Sequence, residues 1–225
     1  MNLKQGTLFL ISAWVCVLFT GYILHIWLAH TFSPAEYGDY GIVMSILLWI
    51  EIVIINGIPY AIQKFVSSDN SIAFGILRTA FRIQLIVSVG LFILAFGTAP
   101  FIAKLFRDHQ LLLYLRIAFF DILFYGFFHL FVSFQNGFGH FGKQASLFII
   151  YSVSKLSFVL LLVSVTHSLL GAFMANIGGS LIGLTVGYFF LGKLKKHPSY
   201  EARILIRFAV PSLFYFLMLN LFFYV

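Results

Sequence analysis

Seven stretches of this chain are each long and apolar enough to cross a hydrocarbon layer about 30 Å thick. They are Leu8–Leu28, Gly41–Ile62, Gln84–Leu105, Leu112–Ser133, Ser146–Thr166, Leu170–Leu191 and Ile204–Val225. Inside lipid no water satisfies a backbone N–H or C=O, so only helices and closed barrels can span. The runs lack the polar/apolar alternation of barrel strands. The pattern predicts an all-α, polytopic integral membrane helix bundle of about seven transmembrane helices. The first run is too long for a signal-peptide core and no small-residue cleavage site follows it, so it is expected to stay in the mature protein.

Composition agrees. Of 225 residues, 61% are hydrophobic and 9% charged, against roughly 45–50% and 25% in soluble domains. That excludes a soluble enzyme, a nucleic-acid-binding domain and a disordered tail, and no nucleic-acid partner is expected despite the net charge of +7. In such a chain basic residues mark cytoplasmic loops. Ten of the 14 Lys and Arg residues fall on one side: Lys4, Lys64, Arg78, Arg82, Lys143, Lys193, Lys195, Lys196, Arg203 and Arg207. Lys104, Arg107 and Arg116 fall on the other. The count predicts a cytoplasmic N-terminus in a cell (plasma or inner) membrane. Cys16 is the one cysteine, which removes any disulfide or Cys-based metal site within the chain.

Ionisable residues inside a span cost at least about 2.5–3.5 kcal/mol each on insertion scales, so each asks for a reason. Glu51, Asp121 and Lys155 lie on three different predicted spans, each roughly 13–15 Å from a membrane edge at about 1.5 Å of rise per residue. Mixed charges at one depth suggest a shared polar cavity. A buried ion pair that fixes packing is the structural alternative, but it leaves one acid over. Glu51 and Asp121 are therefore both ion-coupling candidates, and the sequence does not choose between them. Arg116, about 6 Å below the outer edge, either snorkels to the interface or binds an anionic headgroup. Asp121, Tyr125 and His129 repeat at i, i+4 and i+8 on one helix face, which either lines the cavity or makes interhelical hydrogen bonds.

Asn56-Gly57-Ile58-Pro59 breaks the second helix, as a hinge or site-lining backbone or as a terminal kink. Gly179, Gly183 and Gly187 form a small-residue stripe suited to close helix packing. The seven histidines show no metal-ligand spacing. No Gly-rich phosphate loop and no Ser-His-Asp arrangement is recognisable, so no metal, cofactor or catalytic residue is expected. The loops are short; the longest outer one, His30–Tyr40, leaves little room for an enzyme's catalytic domain.

Two segments carry a resemblance. Ser33-Pro34-Ala35-Glu36-Tyr37-Gly38, in the first outer loop, and Asn56-Gly57-Ile58-Pro59-Tyr60-Ala61-Ile62, ending helix two, resemble polysaccharide exporters of the Wzx/RfbX type in the MOP superfamily. Phe134-Gln-Asn-Gly-Phe-Gly-His-Phe-Gly-Lys143, Gly171 and Pro211 also match that pattern, whereas Asn56 replaces the family's common Asp. The resemblance implies a transporter of two six-helix lobes around a central cavity. This chain would then be its N-terminal half, a fragment or truncated product: residues 1–203 as a six-helix lobe and 204–225 as the first helix of a second. A second half or a homodimer would complete the cavity. The implied activity is not enzymatic. It is the flipping of an undecaprenyl- or other polyprenyl-pyrophosphate-linked oligosaccharide to the outer face, with Lys155, Arg116 and Tyr125 as substrate-binding candidates and membrane lipids as surroundings. A drug or cation antiporter of the same superfamily and a membrane-embedded glycan polymerase or ligase are the alternatives.

Overall fold

The computed structural model describes residues 3–192 and 199–224, so the basic residues Lys193, Lys195 and Lys196 lie outside the described part. The described residues form nine α-helices and no strand: α1 Leu3–Thr31, α2 Pro34–Asn56, α3 Ile58–Ser68, α4 Ala73–Phe106, α5 His109–Phe119, α6 Asp121–Gly137, α7 Phe141–Thr166, α8 Leu169–Phe190 and α9 Ala202–Tyr224. With α2–α3 and α5–α6 each taken as one interrupted span, seven segments are long and apolar enough to cross a membrane. The chain is a multi-pass, all-α membrane protein.

Several helices begin earlier than their apolar cores. The segment expected as an outer loop, His30–Tyr40, is mostly helix: only Phe32 and Ser33 separate α1 from α2. Ser33-Pro34-Ala35-Glu36 is a capping box with proline in the first turn. The Ser33 hydroxyl accepts from the Glu36 N–H at 3.4 Å, and the Glu36 carboxylate accepts from the Ser33 N–H at 2.9 Å. The third span, expected from Gln84, starts at Asn70, where Asp69 Oδ1 accepts the Ser71 N–H at 2.9 Å. Hydropathy marks the part of a helix that sits in hydrocarbon; the caps mark the helix itself. The fourth span, expected as one helix over Leu112–Ser133, breaks at Phe120, whose N–H turns back to the Ile117 carbonyl at 3.1 Å.

The α5–α6 span is the axis of the bundle. Within its most apolar window 72% of residues are buried, against 17% for the first span, so lipid sees little of it. On one side α1 runs along α7 and α7 along α8; on the other lie α2, α3 and α4, with α9 against α3; α6 touches both groups. Lipid is as apolar as leucine, so burial alone does not drive these helices together; close packing does. A Cβ on Gly183 would stand 2.6 Å from the Phe128 ring, and one on Gly187 would stand 2.8 Å from Phe131, so the glycine stripe lets α8 lie directly on α6. Gly179 does the same against Lys155 of α7. Three clusters fill the interior, the smallest of them Phe128, Val132 and Leu147. One gathers Leu28, Leu47, Leu115, Phe119 and Phe173. Another, toward the end where α1 begins, gathers Ile62, Ile76, Leu130, Phe134 and Leu205.

Polar side chains within the spans mostly satisfy themselves on their own helix. Thr20, Ser154 and Thr185 donate to carbonyls four residues back at 2.9, 2.6 and 2.7 Å. The α2–α3 break is handled likewise. Pro59 lacks an N–H, and the Asn56 amide donates to the Ile52 carbonyl at 2.9 Å.

Candidate functional site

Because α1 leans on α7 while α2 packs on α5 and α6, the bundle parts between α1, α2 and α7. The gap is a cavity of about 410 Å³. Small residues keep it open: Gly21 on α1, Gly41 and Ser45 on α2, and Ser152 on α7 all line it. Of the three charges expected near the midplane, Glu51 from α2 and Lys155 from α7 both line this space. Glu51 and Asp121 both act electrostatically on Lys155. The Lys155 ammonium also stands 6.0 Å from the Tyr151 ring centroid, within cation–π reach.

The same cavity holds two residues that the sequence did not single out for it. His25 Nδ1 and the Tyr37 hydroxyl are 3.0 Å apart, a hydrogen bond that joins α1 to α2. The His25 ring meets Tyr37 and Tyr40 edge-on, at centroid distances of 6.3 and 6.0 Å. His25 near a helix end reads as an interfacial residue. Only the approach of α1 to α2 turns it toward Lys155. Thus a carboxylate, an ammonium, an imidazole and three phenols share one opening among mainly apolar walls. Such a site can hold an anionic group at the ammonium while the walls take an apolar or sugar face.

The remaining sequence candidates fall outside it. Asp121 is fully buried behind the cavity as the first residue of α6, accepting the Asn176 amide at 3.1 Å. Tyr125 sits one layer back, its ring 5.7 Å from Tyr151 and 4.6 Å from His129. Asp121 thus does not line the cavity with Glu51 and Lys155, although it interacts electrostatically with both. Arg116 lies on α5 against α4, its guanidinium 5.0 Å over the Phe96 ring, away from the cavity. Asn56, Gly57 and Pro59 form the α2–α3 break one turn and more beyond Glu51, and do not line the opening. Among the described residues no group of three or more His, Cys, Asp or Glu side chains is placed to hold a metal ion.

Comparison with known proteins adds two findings. The family model described as "Polysaccharide biosynthesis protein" matches residues 3–225. A search of curated protein sequences gives no significant match. Among solved structures, the fold is similar to an outward-facing multidrug resistance MATE family transporter of the MOP superfamily. The TM-score is 0.75 at 14% identity, with 96% of this chain and 53% of that chain covered. It is also similar to a MOP superfamily transporter from Pyrococcus furiosus described as having a binding pocket of reverse polarity. There the TM-score is 0.73 at 15% identity, with coverage of 98% and 54%. A MATE mutant crystal structure aligns with a TM-score of 0.69 at 15% identity, covering 94% and 53%. This chain therefore spans about half the length of each.

Proposed function

The chain belongs to the polysaccharide biosynthesis protein family, and from that premise we propose that it is the cavity-bearing lobe of a flippase for lipid-linked oligosaccharide. The observation that carries this reading is Lys155, an ammonium at the level of the membrane core, lining a cavity of about 410 Å³ together with Glu51 and His25. A pyrophosphate-linked or acidic glycan presents the negative charge that such a group recognises, and the aromatic and small residues around it suit a sugar face. In this reading residues 1–203 form one lobe and 204–225 begin a second. A further half or a second copy closes the cavity from the α1–α2 side. The N-terminus faces the cytoplasm of the cell membrane, and the substrate moves outward as the lobes rock.

The test is export in cells whose surface glycan depends on this gene. A hydrogen bond to a charged group is worth about 1.5–3 kcal/mol, so Lys155→Ala should lower surface glycan by one to two orders of magnitude while the protein still inserts. Wild-type surface glycan in that variant overturns the assignment. Glu51 in the same cavity supports a second reading, an antiporter for cationic drugs. In that case Glu51→Gln would abolish drug resistance, and Lys155→Ala would leave glycan export untouched.

A further inference from the structure

Arg116 stands apart from the cavity, on the flank where α5 meets α4. It lies in the last turn of α5. Its Nε is buried with no hydrogen-bond partner, and among the described residues no acid or carbonyl takes a hydrogen from its guanidinium. The two acids nearest in sequence are engaged elsewhere. Asp108 accepts the Gln110 N–H at 2.7 Å, and Asp121 accepts the Asn176 amide at 3.1 Å. The C-terminal end of α5 offers only about half a negative charge. A cation within a membrane span is costly and asks for a partner.

Snorkelling does not supply one. The guanidinium is 5.0 Å from the ring of Phe96. That ring belongs to α4 ten residues before its end at Phe106, or about 15 Å of helix rise from the α4–α5 corner. Arg116 itself is seven residues from the start of α5 at His109, about 10 Å of rise. The side chain is therefore not drawn up toward the corner, where the interface is nearest. What holds it is aromatic. Phe92, Phe96 and Phe120 pack together, with ring centroids 5.5, 5.0 and 6.3 Å apart, and the guanidinium gains cation–π attraction over Phe96. Phe120 is 43% exposed and Leu113, one turn before Arg116, is 49% exposed, so the groove opens on the side that faces lipid.

Stacking occupies a face of the guanidinium and leaves its planar fork of N–H donors at the edge. That fork fits two oxygens that share one negative charge, as in a phosphodiester. Lipid headgroups are the source within reach, because an arginine in a span is accommodated by local thinning of the bilayer and entry of water. A zwitterionic headgroup brings its own cation with the phosphate, whereas an anionic one brings net negative charge. We propose that Arg116, seated on Phe96 in the α4–α5 groove, binds the phosphate of a negatively charged phospholipid, whose acyl chains lie on Phe120 and Leu113. The site is separate from the Lys155 cavity and does not depend on what the cavity carries.

The experiment places the full chain, with Cys16→Ser and a fluorophore on Leu113→Cys, in phosphatidylcholine nanodiscs. A minor fraction of the lipid has brominated acyl chains, as phosphatidylglycerol in one series and as phosphatidylcholine in the other. Bromine quenches a fluorophore only at contact, so quenching reports which lipid occupies the groove. One arginine near the membrane surface gives about a fivefold preference for anionic lipid, and the phosphatidylglycerol series should show that advantage. Arg116→Gln should bring the two series to equal quenching. Arg116→Lys, which keeps the charge and loses the fork, should fall between. A fluorophore on Val165→Cys of α7, 72% exposed, should show no preference. Equal quenching by the two lipids with Arg116 intact overturns the proposal. A preference that persists in Arg116→Gln also overturns it, by assigning the lipid to Lys104 and Arg107 at the corner. Should Arg116→Gln not fold, Arg116→Lys decides, and an undiminished preference there overturns the role of the guanidinium.

Discussion

At the turn between α6 and α7, His140 stacks on Phe138 with an interplanar angle of 10° and a centroid distance of 5.4 Å. Its Nδ1 lies 3.2 Å from the Gln135 side-chain oxygen, which can only accept, so the ring proton sits on Nδ1. Partial burial, and then the nearby Lys143 ammonium, hold this histidine below its ordinary value of 6.5. The unfolded chain therefore takes up the proton first, and stability falls as pH drops through about 6.5. Exposure and solvent screening keep the effect small. His140→Gln should flatten the decline of the thermal midpoint between about pH 7.5 and 5.5, and equal slopes in variant and wild type would reject it. Among the candidate site residues, Glu51 and Lys155 were legible because a charge in hydrocarbon is conspicuous whatever its neighbours. His25 was not. An imidazole near a helix end looks ordinary until a particular neighbour is beside it.

The glycine stripe shows the same limit at the level of the helix. Its four-residue spacing identifies a face of close approach, and in the structure that face carries α8 across α6 and α7. Gly183→Ala would drive a methyl to 2.6 Å from the buried Phe128 ring. Overpacking of this kind costs typically about 1–3 kcal/mol, and the variant should unfold at a measurably lower temperature in detergent. Unchanged thermal stability would show that the α6–α8 contact tolerates separation. Helix existence and order were legible from apolar runs alone, while several boundaries were displaced toward the hydrophobic centre. The Ser33–Glu36 capping box was present in the sequence and could have moved the start of α2 from Gly41 to Pro34. The break at Phe120 carries no proline or glycine, so nothing local announces it. The two helices share α2, α4 and α8 as neighbours, and only α6 adds α3 and α7.

For the molecule as a whole, the basic residues imply an orientation that labelling can decide. With Cys16 replaced by serine, single cysteines at Asn70 and His140 should react from the cytoplasmic side only. Cysteines at Asp108 and His167 should react from the outside only. The reverse pattern would invert the proposed topology. What the sequence determined by itself is the solvent, the element type, the helix order and the presence of three charges within apolar spans. Each follows from a strong single-residue or single-segment cost, since lipid penalises an unpaired backbone or an isolated charge in any context. What only the tertiary structure decided is which charges meet. Glu51 and Lys155 share a cavity because α1 follows α7 and leaves α2, whereas Asp121 is turned to α8 by a break in its own span. Helices at one depth are rotated and tilted by close packing of their neighbours, and that rotation is a property of the assembled bundle rather than of any one segment.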